Sequence, residues 1–285
     1  MPLPVLTTVS DVKSCVLDAK AAGKTIAFVP TMGALHPGHI SLIEAAKGEN
    51  RFVVASIFVN PTQFNNAGDL KNYPRTLEHD IEMLEAAGCD MLFAPSVLEI
   101  YPTPDKGHWA YGILSSSLEG KFRPGHFDGV LTVVKRLFEI VIPQISYFGE
   151  KDFQQLSHIR RFAKEEMPQI EIVGCPTLRE SDGLAMSSRN MRLSAEERNT
   201  ALHISRVLYD MREKKNDFSP AELEVYGRTQ LELVGGMELE YLEIVDESTF
   251  APVPEWGEPF QPIILVAAYV GEVRLIDNMK LDTSD

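Results

Sequence analysis

Two histidines lie close together in a turn that joins a predicted strand to a predicted helix. Residues 25–29 have the apolar character of a buried strand and run into Pro-Thr-Met-Gly-Ala-Leu-His-Pro-Gly-His, which ends at His39. Ligands of open parallel sheets bind at the carboxyl ends of strands, where the N–H groups and dipole of a helix N-terminus attract phosphate. We therefore expect His36 and His39 to face a phosphate site.

The residues between the two histidines suit this role, although other roles exist for the pair. Pro37 fits a first helical turn because it lacks an N–H, and Gly38 leaves room for a nucleotide. The histidines could instead cap or pack, or neutral imidazoles could bind zinc. Their i, i+3 spacing with glycine between them favours the phosphate site, and no HExxH pattern or cysteine cluster supports zinc.

Further polar segments follow other predicted strands. Asn60 and Gln63 come after a strand at residues 52–59, and their amides can donate to and accept from a hydroxy acid. Lys151 and Gln155 lie at a strand-to-helix junction, where the ammonium group can reach phosphate. A solvated polar turn is the alternative for each segment taken singly. Because parallel strands end at one edge of the sheet, we expect these segments to converge.

The segment that follows residue 177 carries two hydroxyls and a guanidinium. Ser187, Ser188 and Arg189 can hold a polyphosphate, and a nearby hinge would let them close over a site. An ordinary linker is the alternative. The basic segment at residues 119–127 is a weaker indication of the same site.

The elements that position these residues form two patterns. Helices and strands alternate up to about residue 176, which predicts an α/β fold with a Rossmann-like doubly wound parallel sheet. Capping boxes at Ser194 and Ser219 then start two helices before three strands, which predicts a smaller α+β domain. We expect a nucleotide- and substrate-binding domain at residues 1–176 and a C-terminal lid domain at residues 177–285.

The predicted elements have the following limits. The first helix is expected to have Ser10 as its cap, and other helices are predicted at residues 38–47, 76–87, 128–142 and 153–166. Strands are predicted at residues 25–29, 52–59, 91–93, 145–148, 170–173, 239–245, 263–270 and 273–276.

Composition excludes several classes of protein. A chain of 285 residues exceeds what one hydrophobic core usually organises, which favours two domains. Its formal net charge of −14 repels nucleic acids and anionic membranes, so we expect neither as a partner. The most apolar segment, residues 263–270, is too short to span a bilayer.

Three scattered cysteines, Cys15, Cys89 and Cys175, indicate reduced thiols and a cytoplasmic location. The sequence contains no GxGxxG motif, which argues against a nicotinamide or flavin site.

Five strings, in chain order, carry a resemblance to a known family. PTMGALHPGH, SIFVNPTQF, EGKFRPGHF, YFGEKDFQQL and DGLAMSSRN together resemble the pantoate–β-alanine ligases, also called pantothenate synthetases, across nearly the whole chain. The HxGH string alone would indicate only the wider nucleotidylyltransferase superfamily, which includes class I aminoacyl-tRNA synthetases. Residues 187–189 correspond in role to the second, KMSKS-like signature of that superfamily.

The resemblance implies an activity and a set of site residues. It implies ATP-dependent condensation of (R)-pantoate with β-alanine through pantoyl adenylate, with pantoate bound by the first domain. It also implies a homodimer that uses ATP as a substrate, with Mg²⁺ carried by the ATP rather than by protein ligands. The implied catalytic residues are His36, His39, Lys151 and Arg189, with His39 as proton donor. The implied ATP site consists of Met32, Gly33, Ala34, Leu35, His36, Pro37, Gly38, His39, Gly149, Glu150, Lys151, Asp152, Leu178, Met186, Ser187, Ser188 and Arg189. The implied pantoate and β-alanine residues are Gln63, Gln155 and Asn60.

Two other functions are compatible with parts of this pattern. A nucleotidylyltransferase that acts on a phosphorylated acceptor would use the same HxGH turn, but it would need extra basic residues for that phosphate. A nucleotide-binding regulatory module without turnover is the second alternative. The presence of His36, His39, Lys151 and Arg189 together argues against the module, since a site without turnover does not need all four.

Overall fold

The computed structural model describes residues 2–65, 67–103 and 107–282. The chain forms two compact units that alternate along the sequence. The first unit comprises Met1–Tyr111, Arg123–Glu150 and Gln154–Pro176, and the second comprises Gly112–Phe122, Lys151–Phe153 and Thr177–Asp285. The assignment of residues 1–176 to substrate binding and of residues 177–285 to a lid stays a prediction.

The first unit is built on a six-stranded parallel sheet. Its strands are β1 (Val5–Leu6), β2 (Thr25–Thr31), β3 (Arg51–Ile57), β4 (Met91–Phe93), β5 (Ile145–Gly149) and β6 (Glu171–Cys175). They lie in the order β1-β4-β3-β2-β5-β6. The chain proceeds from β2 to one side and later from β5 to the other, so the strand order reverses between β2 and β5. This is the switch point of a doubly wound sheet, where ligands of such folds bind. The predicted α/β fold is confirmed.

Helices flank both faces of this sheet. Along β2, Ile26 and Phe28 belong to a buried cluster with residues of four helices, whereas Ala27 and Val29 belong to a second cluster with residues of two others. This alternation follows from the two-residue period of a strand. The helices of the chain up to residue 166 are α1 (Val9–Ala21), α2 (Pro37–Ala46), α3 (Ala67–Asn72), α4 (Leu77–Ala87), α5 (Val97–Ile100), α6 (Ile113–Ser116), α7 (Leu118–Phe122), α8 (His126–Val141) and α9 (Phe153–Glu166).

The start of α1 differs from the prediction. Its N-cap is Thr8, which has an extended backbone (φ −107°, ψ 147°) and whose side chain accepts the N–H of Asp11. Ser10 lies inside the first turn, so its prediction as the cap was wrong. Both hydroxyl residues suit an N-cap, and only the tertiary path of the chain decides between them. The end of α4 is as predicted, with Gly88 in the left-handed region at φ +77°.

The second unit contains a three-stranded antiparallel sheet with helices. The capping boxes at Ser194 and Ser219 start the two long helices as predicted. The sheet order is β7-β8-β9. The predicted smaller α+β arrangement is confirmed. The elements are α10 (Ala195–Glu213), α11 (Pro220–Glu232), β7 (Met237–Asp246), β8 (Pro262–Val270) and β9 (Val273–Lys280).

Each face of this antiparallel sheet has its own apolar cluster. The helix-side cluster includes Leu208 of α10, Leu231 of α11 and Leu275 of β9. The opposite-face cluster includes Leu118 of α7 and Phe153. The two clusters therefore bury both faces of the sheet, one of them with residues that lie far away in the sequence.

A buried ion pair attaches α7 to the sheet of the second unit. Arg274 donates from Nη1 to Glu119 Oε2 (2.9 Å) and from Nη2 to Glu119 Oε1 (2.7 Å). The Tyr241 hydroxyl also donates to Glu119 Oε1 at 2.7 Å. These contacts explain why the short segment that holds α7 belongs to the second unit.

None of the helices within the described ranges combines the length and the apolar character that a bilayer crossing requires.

A histidine in the core of the first unit links stability to pH. His158 of α9 is 0% exposed, and its ring stacks on Phe127 with centroids 3.7 Å apart. Its Nδ1 lies 2.8 Å from the carbonyl oxygen of Gln154, to which it donates in the neutral form. Burial lowers the pKa of His158 from 6.5 to about 4, against the opposing effects of that carbonyl and of Asp128.

We expect this histidine to destabilise the first unit in acid. Between pH 6.5 and about 4 the unfolded chain binds a proton that the folded chain does not, so the free energy of unfolding falls as pH falls, by at most about 3 kcal/mol. Urea unfolding at several pH values, with His158→Gln and with the exposed His79→Gln as control, measures this. His158→Gln should flatten the pH dependence, and an unchanged slope would contradict the assignment.

Candidate active site

The turn between β2 and α2 is held by a buried carboxylate. Asp80 of α4 is 1% exposed. Its Oδ2 accepts the N–H of Ala34 (2.9 Å), and its Oδ1 accepts the N–H of Leu35 (2.8 Å) and the hydroxyl of Thr76 (3.0 Å). Two consecutive peptide groups of the turn are thereby fixed. The sequence analysis did not identify Asp80, although a carboxylate aligned with the buried Leu84 and Ala87 of α4 interrupts an apolar face.

Glycine is required at one position of this turn. Gly33 has φ +81° and Ala34 has φ +50°. A Cβ on Gly33 would lie 2.9 Å from Cγ2 of Ile57 and 3.1 Å from Oδ2 of Asp80. Because both the conformation and the space exclude a side chain, this turn can form only with glycine at position 33.

The two histidines lie at the start of α2, as predicted. His36 is the N-cap and Pro37 is the first helical residue. The two imidazole rings are 4.0 Å apart between centroids. The N–H of His36 donates to Nδ1 of His39 at 3.3 Å. Since Nδ1 accepts a hydrogen bond, the neutral imidazole of His39 carries its proton on Nε2, which can donate to a ligand.

The start of α2 is electrostatically suited to an anion. The helix has ten residues, and its first turn contains no acidic side chain. Gly38 contributes an N–H group in this turn, and the helix dipole places partial positive charge there. The turn therefore combines a backbone donor and an imidazole donor near the switch point of the sheet.

Gln63 lies directly beside this turn. Its Nε2 donates to Sδ of Met32 at 3.0 Å, and its Oε1 accepts from Nδ2 of Asn60 at 3.1 Å. The structure thus brings a residue predicted to bind a hydroxy acid into contact with a residue predicted to bind a nucleotide. These predictions of binding are not tested by the contact, but the adjacency that they require is present.

Asn60 is a buried residue that orients its neighbours. It is 1% exposed. Its Nδ2 donates to Gln63 and to the carbonyl oxygen of Gly129 (3.1 Å). Its Oδ1 accepts the Tyr101 hydroxyl (3.0 Å) and the Thr62 hydroxyl (2.9 Å). Both donor hydrogens and the acceptor of the amide are therefore used within the protein, which indicates a positioning role. A direct contact of Asn60 with substrate stays a prediction.

The end of the segment at residues 119–127 contacts the turn that contains Thr62 and Gln63. Nδ1 of His126 lies 2.8 Å from the carbonyl oxygen of Gln63, to which it can donate. Gly129 packs so closely that a Cβ there would lie 2.4 Å from the carbonyl oxygen of Thr62. The first turns of α8 therefore fix the position of Gln63.

Three more predicted residues of the first unit lie at or after the end of β5. Gly149 ends the strand and Glu150 begins a 3₁₀ turn, while Gln155 is half-buried in the first turn of α9. β5 is the neighbour of β2 in the sheet, and α2 packs against it. The neighbouring strands of the switch point therefore both carry predicted site residues at their carboxyl ends.

The remaining predicted residues belong to the second unit. Met186 donates its N–H to the carbonyl oxygen of Leu178 at 3.0 Å, which closes a short hairpin. Ser187 follows as the cap of a 3₁₀ turn and accepts the N–H of Arg189 at 3.3 Å. Ser188 is buried within that turn. Lys151 lies 3.9 Å from the carboxylate of Asp152. That these residues act together with the histidines of the first unit stays a prediction.

The described residues do not offer a metal site of their own. Across residues 2–65, 67–103 and 107–282, His, Cys, Asp and Glu side chains form no group of three or more that could hold a metal ion. Mg²⁺ carried by the phosphates of ATP stays a prediction.

Comparison with known proteins identifies the family. The model of the pantoate-beta-alanine ligase family matches residues 4–280. The chain belongs to this family. The resemblance of the five sequence strings is thereby confirmed, and with it the expectation of a ligase of pantoate and β-alanine.

Similar curated proteins share almost the whole chain. A pantothenate synthetase of Bacteroides fragilis is 48% identical over 282 residues, which cover 99% of this chain and 100% of the relative. A pantothenate synthetase of Corynebacterium glutamicum is 48% identical over 279 residues, which cover 96% of this chain and 99% of the relative.

Solved structures agree with the fold. A pantothenate synthetase of Thermus thermophilus aligns with a TM-score of 0.92 at 44% identity, covering 99% of this chain and 100% of that one. A pantoate-beta-alanine ligase of Francisella tularensis aligns with a TM-score of 0.82 at 37% identity, covering 99% of both chains. That relative was crystallised in complex with beta-gamma ATP and β-alanine.

Proposed function

We propose that this chain joins (R)-pantoate to β-alanine at the expense of ATP, through pantoyl adenylate, and releases pantothenate, AMP and pyrophosphate. The contact between Gln63 and Met32 carries the proposal, because it brings an amide suited to a hydroxy acid against a turn suited to phosphate. Membership of the family and the ATP and β-alanine complex of the Francisella relative support it.

In the first step, a carboxylate oxygen of pantoate attacks the α-phosphorus of ATP. A new phosphorus–oxygen bond forms, and the bond from the α-phosphorus to the bridging oxygen of pyrophosphate breaks. Negative charge develops on the oxygens of the transferred group and of the leaving group. Nε2–H of His39 and the N–H of Gly38 would stabilise that charge, because preorganised donors act where charge develops.

In the second step, the neutral amine of β-alanine attacks the carbonyl carbon of pantoyl adenylate. A carbon–nitrogen bond forms, the carbon–oxygen bond to AMP breaks, and the amine loses one proton. Gln63 and Gln155 hold pantoate through both steps in this proposal. Lys151, Ser187, Ser188 and Arg189 bind the triphosphate of ATP and the departing pyrophosphate, for which their ammonium, hydroxyl and guanidinium groups are suited.

Three finer predictions accompany the activity and have the family resemblance as their basis. These are the use of Mg²⁺ with ATP, a homodimeric assembly and a location in the cytoplasm. The three cysteines are free thiols in the structure, which is compatible with the last of these.

An assay of AMP release tests the function. The protein is incubated with ATP and pantoate, with and without β-alanine, and AMP, pyrophosphate and pantothenate are measured. We expect AMP to accumulate beyond one equivalent per site only when both pantoate and β-alanine are present. Pyrophosphate release without AMP on addition of a phosphorylated acceptor would support a nucleotidylyltransferase instead, and no turnover would support the binding module.

Paired substitutions separate the roles of Asn60 and Gln63. Asn60→Ala leaves buried partners unsatisfied, so we expect the free energy of unfolding to fall by about 2–4 kcal/mol. Gln63→Ala removes a half-buried side chain and should change that free energy by less than about 1 kcal/mol, while raising KM for pantoate by about tenfold. Urea unfolding and steady-state kinetics measure both quantities. Equal loss of stability in the two variants would contradict this division of roles.

A further inference from the structure

Strand β9 carries two adjacent buried polar residues, Asp277 and Asn278. They are 4% and 8% exposed. Successive residues of a strand point to opposite faces. Leu275 and Met279 belong to the helix-side cluster and Ile276 packs against the opposite-face cluster, so Asp277 points to the helix side and Asn278 to the opposite face. One strand thus offers a polar anchor on each face of the sheet.

Asp277 anchors the hairpin that precedes Ser187. Arg179 donates from Nη1 to Asp277 Oδ2 (2.7 Å) and from Nη2 to Asp277 Oδ1 (2.9 Å), a bidentate pair. The same guanidinium donates to the carbonyl oxygens of Gly183 (3.1 Å) and Asn278 (3.2 Å). The strand therefore holds the base of the hairpin, and the same guanidinium links that base to the turn of the hairpin.

A second network stiffens the hairpin internally. Arg179 pairs with Ala185 in an isolated bridge. Asn190 donates from Nδ2 to Glu180 Oε1 and to the carbonyl oxygen of Ala185, both at 3.0 Å. Arg198 of α10 donates to Glu180 Oε2 at 2.7 Å. Because these bonds join both arms of the hairpin and the residue after Arg189, a shift at its base would be transmitted to the Ser187–Arg189 segment.

Asn278 anchors Lys151, the other part of the second unit that is proposed to bind phosphate. Its Nδ2 donates to the carbonyl oxygen of Lys151 at 2.8 Å. This bond joins residues 127 positions apart in the sequence. The backbone of Lys151 and the base of the hairpin are therefore fixed to neighbouring residues of one strand.

We propose that Asp277 and Asn278 are positioning residues that set the spacing between Lys151 and the Ser187–Arg189 segment, so that both fit one triphosphate chain. The proposal rests on the proposed function, in which these segments bind ATP. Binding groups held at a fixed spacing lose little freedom when the ligand arrives, and a misplacement of about 1 Å can cost about 10²-fold in rate.

A double-mutant cycle tests whether Asn278 acts through Lys151. We expect Asn278→Ala to lower kcat/KM for ATP by about tenfold or more, with KM for pantoate unchanged. In a Lys151→Ala background the same substitution should cost less than about twofold, because no ammonium group remains to be positioned. An equal cost in both backgrounds, or no cost in the wild-type background, would overturn the proposal.

Asp246→Asn is the matched control for a general loss of stability. Asp246 is a buried carboxylate of the same unit that accepts from Ser248, Thr249 and the N–H of Gln261, and it lies outside the two anchored segments. We expect it to lower the melting temperature without changing kcat/KM for ATP. If it lowered kcat/KM for ATP as much as Asn278→Ala does at an equal loss of melting temperature, the effect of Asn278 would be one of stability alone.

Direct binding separates this proposal from the proposed function. The affinity of each variant for a non-hydrolysable ATP analogue is measured by calorimetry alongside the AMP assay. A wild-type protein that yields no AMP with pantoate and β-alanine contradicts the proposed function, and the same cycle in analogue affinity then still decides the role of Asn278. A wild-type protein that is active but shows additive losses in the cycle contradicts only the positioning role.

Discussion

Replacing His39 with alanine is expected to slow the formation of pantoyl adenylate by about 10²–10³-fold while leaving ATP affinity within about threefold of the wild-type value. The substitution removes the Nε2–H donor at the start of α2. This donor is oriented by the hydrogen bond from His36 N–H to His39 Nδ1. Single-turnover kinetics with ATP and pantoate, without β-alanine, measures this step directly.

Two further substitutions at the same position separate the donor from the turn that holds it. The Oδ1 atom of His39→Asn can replace Nδ1 as acceptor of the His36 N–H, but no group of asparagine reaches the position of Nε2. His39→Gln places an amide donor near the Nε2 position and loses the acceptor. We expect the glutamine variant to retain more adenylation activity than the asparagine variant.

Two results would contradict the role proposed for His39. A loss confined to ATP affinity, with the rate of adenylate formation unchanged at saturating ATP, would remove His39 from the chemical step. Greater activity for His39→Asn than for His39→Gln would show that the order of the turn, and not the Nε2–H donor, limits the reaction.

Local signals in the sequence were sufficient to predict most helices and strands of the fold. The boxes Ser194 with Glu197 and Ser219 with Glu222 start helices because each side chain satisfies the other's backbone N–H, a contact within four residues. The β2–α2 turn was predicted for the same reason, since its glycine, proline and histidines lie within one short string. Such features need no knowledge of distant parts of the chain.

Long-range contacts account for what the sequence did not predict. Glu119 belongs to the second unit because of Arg274, which is 155 positions away. The pattern of β9 was expected to end at residue 276, since Asp277 and Asn278 are polar, yet both are buried by partners on other segments. A polar residue in a strand pattern indicates either the end of the strand or a buried anchor, and only tertiary partners distinguish the two.

The same limit applies to the candidate site. Asn60 was predicted to contact substrate because an amide after a strand is chemically suited to it, and that contact stays a prediction. The sequence did not predict that Gln63, Gly129, Thr62 and Tyr101 engage its hydrogen-bonding groups. The chemistry of the residue was interpreted correctly as donor and acceptor. Its partners, which lie up to 69 positions away, could not be obtained from spacing.

Asp80 is the position outside the predicted site where we expect the largest effect. Asp80→Asn keeps the size of the side chain, but its amide can accept from only one of the two N–H groups, of Ala34 and Leu35, and directs its own N–H₂ at the other. Leaving a buried N–H unsatisfied costs about 1–3 kcal/mol. A turn that moves by about 1 Å would in addition misplace His36 and His39, so kcat/KM for ATP should fall by about 10²-fold.

Asp90→Asn provides a control for the loss of a carboxylate that accepts a backbone hydrogen bond. Asp90 also accepts a backbone hydrogen bond in the first unit, from Val53 N–H at 2.7 Å, but it lies after α4 and away from the β2–α2 turn. Steady-state kinetics and thermal melting are measured for both variants. Asp80→Asn should lower kcat/KM for ATP far more than Asp90→Asn does, with KM for pantoate little changed. A carboxylate that orders a turn proposed to bind phosphate should affect ATP before it affects pantoate. A loss of activity that follows melting temperature equally in the two variants would therefore show that Asp80 only stabilises the fold.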